Sequence, residues 1–148
     1  MGLRVSVVKH AHHSFDVDHA GKDTHRHRLA GAFEVLVASS KRLALIREYE
    51  REAAPNVHHL LAEVSEVADW VLVEGFKSSD LHKIEVWRAA TQQQPIYPND
   101  VFITAIASDG PLPEPTGRPV LDLNNAAAIA SHLVANADRY HYRPELHA

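Results

Sequence analysis

Apolar and polar positions alternate along this chain in short blocks. Leu3 to Lys9 (LRVSVVK) is rich in β-branched residues and then turns abruptly polar, which predicts a buried strand that ends at a functional edge. Residues 10 to 22 (HAHHSFDVDHAGK) show no apolar period and read as a loop. Asp23 is placed to cap a short helix through Arg28, with Gly31 as its terminator. Phe33 to Ala38 and Leu43 to Arg47 are two apolar runs parted by Ser39, Ser40, Lys41 and Arg42, which predicts a strand pair. Pro55 opens a helical pattern in which Val57, Leu60, Leu61 and Val64 recur at 3-and-4 spacing.

Trp70 to Val73 (WVLV), closed by Glu74-Gly75, has the continuous apolar character of a parallel strand covered on both faces. Lys83 to Trp87 and Val101 to Ala107 predict further strands, a Pro-rich loop follows from Gly110 to Pro119, and Val120 to Leu123 reads as a last short strand. Asn124 or Asn125 is placed to cap a closing helix through about Ala135, and the chain from Asp138 reads as a flexible tail. Strands alternating with helices predict an α/β layered fold with a mostly parallel sheet, in which ligands collect beyond the carboxyl ends of the strands. The polar clusters after Lys9, Val73 and Ala107 all fall at such ends.

Composition narrows the function classes. The 148 residues are 45% hydrophobic and 23% charged, ordinary usage for one folded domain, here expected over residues 1–137 with 138–148 as the tail. A formal charge of -4 provides no global basic field for a nucleic acid. With no cysteine there is neither a disulfide nor a thiolate metal site, and no apolar run approaches the roughly 20 residues that span a bilayer. A cytoplasmic protein that binds neither nucleic acid nor membrane is the expectation. The one oddity is histidine: His10, His12, His13, His19, His25 and His27 crowd one stretch, out of 12 in the chain.

Three clusters could carry chemistry. In the stretch from Val7 to Asp23, Lys9, the imidazoles and the spaced carboxylates Asp16 and Asp18 suit phosphate oxygens and a hard divalent cation; a solvated loop with local caps is the plain alternative. A zinc site on His10, His12 and His13 has a weaker basis, since the spacing is unspecific and no thiolate is present. Glu74, at the end of a rigid apolar strand, is placed as a carboxylate aimed at a magnesium ion or its water shell, or serves as a turn carboxylate. Asp109, after the strand ending Ala107-Ser108, could accept both edge donors of a guanine, or could simply open an Asp-Gly turn. Gly21-Lys22 is not the end of a phosphate loop, because Asp16 stands where a Gly is required and Asp23 where a Ser or Thr is.

Taken together, Val7 to Ala32 (VVKHAHHSFDVDHAGKDTHRHRLAGA), Val37 to Ile46 (VASSKRLALI), Val71 to Lys77 (VLVEGFK), His82 to Arg88 (HKIEVWR) and Ala105 to Asp109 (AIASD) resemble the MobB family in order and spacing, over about Leu3 to Leu133. The Lys-His-x-His-His stretch followed by Gly-Lys-Asp, with the later Val-Glu-Gly-Phe-Lys, is specific as a combination. The resemblance implies a P-loop NTPase-like three-layer fold with a mostly parallel sheet. It further implies GTP and Mg²⁺ as ligands, a homodimer, at most weak GTP hydrolysis, and an accessory role beside the guanylyltransferase MobA when GMP is joined to molybdopterin. Carried over by position, it implies that Lys9, His10, His12, His13, Asp16, Asp18, Lys22, Asp23 and Lys77 face nucleotide or partner. Glu74, with Asp16 as a second candidate, would lie near the metal, and Ser108 and Asp109 near the base.

Family chains begin with a strand, a Gly-rich loop ending in Gly-Lys-Thr-Thr or similar, and a helix, ahead of the strand that corresponds to Leu3 to Lys9. That first strand, P-loop and first helix are missing from these 148 residues, and an upstream reading frame is expected to encode them. On that expectation the chain as given binds GTP weakly, and adding the phosphate loop restores most of the affinity. Two other functions stand beside the nucleotide-binding adapter: a scaffold that binds MobA without GTP, and a His-rich metal-binding module.

Overall fold

The computed structural model describes residues 2–11, 15–51 and 54–147. The chain divides into two compact units, Met1–Lys77 and Ser78–Ala148. Both are α/β, and among the described residues three of the four strand pairings are parallel, as in a P-loop NTPase-like fold.

In the first unit, β1 (Val5–Lys9) runs parallel to β4 (Trp70–Glu74), with Val5 opposite Trp70 and Lys9 opposite Glu74. The pairing starts from a polar clamp, in which Asp69 accepts from the Arg4 backbone N–H at 2.7 Å and the Arg4 carbonyl accepts from Asp69 and Trp70. The expected strand pair is an antiparallel hairpin of β2 (Glu34–Ala38) and β3 (Leu43–Arg47), turned by Ser39, whose hydroxyl accepts from the Arg42 N–H at 3.1 Å. Arg47 closes its open end on the Glu34 and Glu63 carboxylates.

Helix α1 (Asp23–Leu29) begins one residue earlier than the capping pattern suggested. Lys22 holds the cap position without a side-chain bond, and Asp23 lies in the first turn, where a carboxylate favours the positive end of the helix dipole. Gly31, at φ +94°, ends it as expected. Helix α2 (Val57–Ala62) is capped by Asn56, which accepts from the His58 N–H at 2.8 Å, so Pro55 precedes the cap instead of occupying the first turn.

The second unit is organised around β6 (Ile103–Ser108), which is buried at every position between parallel neighbours β5 (Lys83–Trp87) and β7 (Val120–Asp122). Val101, expected in this strand, is left outside it, since Asp100 accepts from the Phe102 N–H at 2.8 Å and makes a turn there. Trp87, Tyr97, Ile103 and Ile106 form the core. Tyr97 is wholly buried, and its hydroxyl donates to the Glu114 carbonyl at 2.7 Å, which ties the Pro-rich loop to the sheet. Asn125 caps α3 (Ala126–Ala135) by accepting from the Ala128 N–H at 3.0 Å. Beyond α3 the chain forms 3-10 turns at Ala137–Tyr140 and Pro144–Leu146, and the Tyr140 hydroxyl meets Thr104 Oγ1 at 2.8 Å.

Candidate functional site

Parallel pairing brings the carboxyl ends of β1 and β4 to one level, so that Lys9 and Glu74 face each other across the ladder. The Lys9 ammonium donates to both Glu74 carboxylate oxygens, at 3.0 and 3.1 Å. These side chains are 64% and 66% exposed, so the pair is water-screened and opens at little cost. The ladder runs one residue further, with the His10 N–H donating to the Glu74 carbonyl at 2.9 Å. The His10 imidazole then stacks on the Phe76 ring, centroids 4.6 Å apart and planes 18° from parallel.

The turn after β4 makes this stacking possible. Gly75 has φ +94° and Phe76 φ +50°, a pair of left-handed positions that only the first residue occupies without steric cost. A Cβ on Gly75 would lie 2.7 Å from His10 Cβ. The Glu-Gly-Phe sequence is thus explained by the approach of His10.

Past the undescribed positions, which include His12 and His13, the polar loop is held from its other end. Arg28 on α1 donates through Nη1 to Asp16 at 3.0 Å and to Asp18 at 3.3 Å, and through Nε to Glu48 at 2.7 Å. The Asp18 N–H bond, then Arg28, hold the Asp16 carboxyl below the usual carboxylate range. The Thr24 hydroxyl, donating at 2.7 Å, leads the causes that do the same for Asp18. Both carboxylates are therefore charged at neutral pH and directed to Arg28. Lys22 and Asp23 are exposed at the start of α1, Asp23 with a distant partner in Arg26 at 3.9 Å. Lys77 ends the first unit. Among the described residues, the histidines from His10 to His27 do not converge into a three-ligand metal cluster.

In the second unit Ser108 and Asp109 lie at the carboxyl end of β6, as expected. The Ser108 hydroxyl donates to the Gly110 carbonyl at 2.8 Å and accepts from the Gly110 N–H at 3.2 Å, so it shapes the turn. Asp109 pairs with Arg88 Nε at 3.6 Å, and its side chain remains 30% exposed. Sequence reasoning passed over Arg28 and Arg88. Arg88 had a local signal, because it stands where the apolar run of β5 gives way to a charged residue.

Glu74 also yields a test. Its side chain is exposed, so Glu74→Gln is expected to leave the thermal midpoint nearly unchanged; on the GTP and Mg²⁺ that the resemblance implies, it is expected to weaken magnesium-dependent GTP binding about tenfold, the loss of one charge-assisted contact. Equal binding by variant and parent, titrated with and without Mg²⁺, would remove the metal role from this carboxylate.

The family profile described as "Molybdopterin guanine dinucleotide synthesis protein B" (MobB) matches residues 1–109. The chain is 36% identical over 135 residues to the molybdopterin-guanine dinucleotide biosynthesis adapter protein of Escherichia coli, covering 90% of this chain and 76% of that one. It is 34% identical over 132 residues to the protein of the same name from Haemophilus influenzae, covering 88% and 71%. Among solved structures, a MobB homolog from Bacillus stearothermophilus superposes with a TM-score of 0.63 at 24% identity, over 93% of this chain and 79% of that one. Bacillus subtilis MobB gives 0.63 at 21% identity, over 96% and 83%.

Proposed function

The chain belongs to the MobB family, the molybdopterin guanine dinucleotide synthesis proteins, and on that premise we propose that it is a GTP-binding adapter in this biosynthesis that assists a MobA-like guanylyltransferase. The observation that carries the reading is the Lys9–Glu74 pair at the carboxyl ends of two parallel strands, a cation and a carboxylate at one solvent-facing edge. A surface pair of this kind stabilises the fold by at most about 1 kcal/mol. Exchanging it for phosphate on the ammonium and Mg²⁺ on the carboxylate therefore costs little.

The donors fit these groups. Mg²⁺ takes oxygen ligands, one or two from carboxylates and the rest from water and phosphate, which Glu74 satisfies better than Asp16, already committed to Arg28 and to the Asp18 N–H. When bound, the ion supplies positive charge against the phosphates. Within the first unit Lys9 holds a phosphate oxygen and His10 closes the edge; in the second unit, taken by itself, Asp109, with Arg88 beside it, is the proposed acceptor for a guanine base. Lys22, Asp23 and Lys77, with His12 and His13, belong to the nucleotide- or partner-facing set.

The protein is proposed to act in the cytoplasm; among the described residues no helix is long and apolar enough to cross a membrane. A homodimer is proposed through the β2–β3 hairpin. Leu36, Leu43 and Leu45 share one of its faces and are 60%, 64% and 42% exposed, and a two-stranded hairpin with an uncovered apolar face is marginal alone. Leu43→Glu is expected to shift the protein from dimer to monomer in sedimentation velocity; an unchanged dimer would place the interface elsewhere.

Calorimetric titration with GTP and ATP, each with Mg²⁺, tests the nucleotide reading, and a preference for GTP is the expected result. The second reading is a scaffold that binds MobA without nucleotide. A phosphate loop of the form Gly-x-x-x-x-Gly-Lys-Ser/Thr is the element whose addition separates the two readings. Guanylyltransferase binding with no response to GTP, in this chain and in a form preceded by such a loop, would select the scaffold.

A further inference from the structure

The loop from Phe15 to Lys22 lacks apolar anchorage. Phe15 and Val17 are 75% and 68% exposed, whereas the Asp18 side chain is turned inward at 8%. Its course is set by polar contacts: the Asp18 N–H donates to Asp16 at 2.8 Å, the His19 N–H to Asp18 at 2.9 Å, and the Lys22 N–H to the His19 carbonyl at 3.2 Å. All of these are local to the loop. What connects the loop to ordered structure is Thr24 and, above all, the Arg28 guanidinium, whose side chain is 18% exposed among three carboxylates.

We propose that Arg28 is a positioning residue, a latch whose guanidinium fixes the polar loop after β1 onto α1 and the end of β3, and so sets how Asp16, Asp18 and Lys22 are presented to nucleotide and partner. Two features make the guanidinium specific to this task. Its planar fork directs separate N–H groups at Asp16 and Asp18 on one side and at Glu48 on the other, which a lysine ammonium, a single point of charge, does not reproduce. The three acids also repel one another, so that without Arg28 no positive charge offsets their mutual repulsion and the Thr24 hydroxyl alone is left to hold the loop on α1. Glu48 is the outer partner, half exposed, and its loss removes the tie to β3 while leaving the loop on α1. The functional consequence rests on the nucleotide reading given above; the latch itself does not.

The test is hydrogen exchange on the full chain without nucleotide, in the parent and in Arg28→Gln, Arg28→Lys and Glu48→Gln, followed by GTP titration with Mg²⁺. Arg28→Gln and Arg28→Lys are expected to speed exchange of the Asp18, His19 and Lys22 amides at least tenfold, with the β6 amides unchanged. Glu48→Gln should keep the loop amides within twofold of the parent. Arg28→Gln should also weaken GTP binding at least fivefold. Loop amides that exchange at the parent rate in Arg28→Gln, or a full return of protection in Arg28→Lys, would overturn the latch. Faster loop exchange with unchanged GTP affinity would overturn its positioning role at the nucleotide. A parent that binds no GTP, both as this chain and in a form preceded by a phosphate loop, would instead defeat the nucleotide reading, and exchange alone would then decide the latch.

Discussion

On the proposed nucleotide reading, replacing Asp109 with Asn is expected to turn a preference for guanine into a preference for xanthine. A carboxylate accepts from two adjacent N–H groups on the guanine edge, and each such charge-assisted bond contributes about 1.5–3 kcal/mol. The amide keeps one acceptor and replaces the other with a donor, which opposes guanine and matches the carbonyl of xanthine. Loss of at least one bond, with a donor set against a donor, corresponds to about a hundredfold weaker GTP binding. The fold should tolerate the change, because the Asp109 side chain is 30% exposed and its ion pair with Arg88 is long, at 3.6 Å. Competition between GTP and xanthosine triphosphate, in parent and variant, is the check. A variant that keeps the parent's order of preference would leave Asp109 as a turn residue only.

Gly75→Ala is expected to have the second largest effect, and to act on structure before function. At φ +94° an L-residue is strained by about 1–2 kcal/mol. Its Cβ would also meet His10 Cβ at 2.7 Å, backbone-near atoms that cannot rotate out of the way. Either the turn flattens or His10 leaves Phe76, and both outcomes break the hydrogen bond from the His10 N–H to the Glu74 carbonyl. The expected readings are a denaturant midpoint lowered by the equivalent of about 1–2 kcal/mol or more, and displaced His10 and Phe76 ring resonances. Parent-like resonances and midpoint would mean that the close approach does not hold in solution.

What could be read from the sequence, and what could not, follows from the range of the interactions. The ends of β1, β4 and β6 were legible because an apolar run that stops at a charged or turn residue is a local signal, and Lys9, Glu74 and Ser108 all stand where those runs stop. The Asn125 cap was legible for the same reason. The start of α1 was less so, since Asp23 is acceptable both as a cap and within a first turn, and the backbone chose the turn.

The pairing of Lys9 with Glu74 depends on strand register across 65 residues, which no local pattern encodes. Arg28 is the clearest case. Its partners lie 12 and 10 residues before it and 20 after it, spacings that follow no helical or strand period, so an exposed-looking helix arginine became visible as a hub only in three dimensions. The histidine cluster suggested metal binding by its crowding in sequence, which does not encode what each ring meets: the His10 imidazole stacks on Phe76, a partner distant in sequence.

The adapter role is tested most directly by the rate at which a MobA-like guanylyltransferase forms molybdopterin guanine dinucleotide from molybdopterin at subsaturating GTP, measured as this chain is added. The account predicts a rate that rises with the chain and saturates near equal stoichiometry, with a smaller rise for Glu74→Gln and Asp109→Asn. A rate that stays flat across all concentrations of the chain would contradict it.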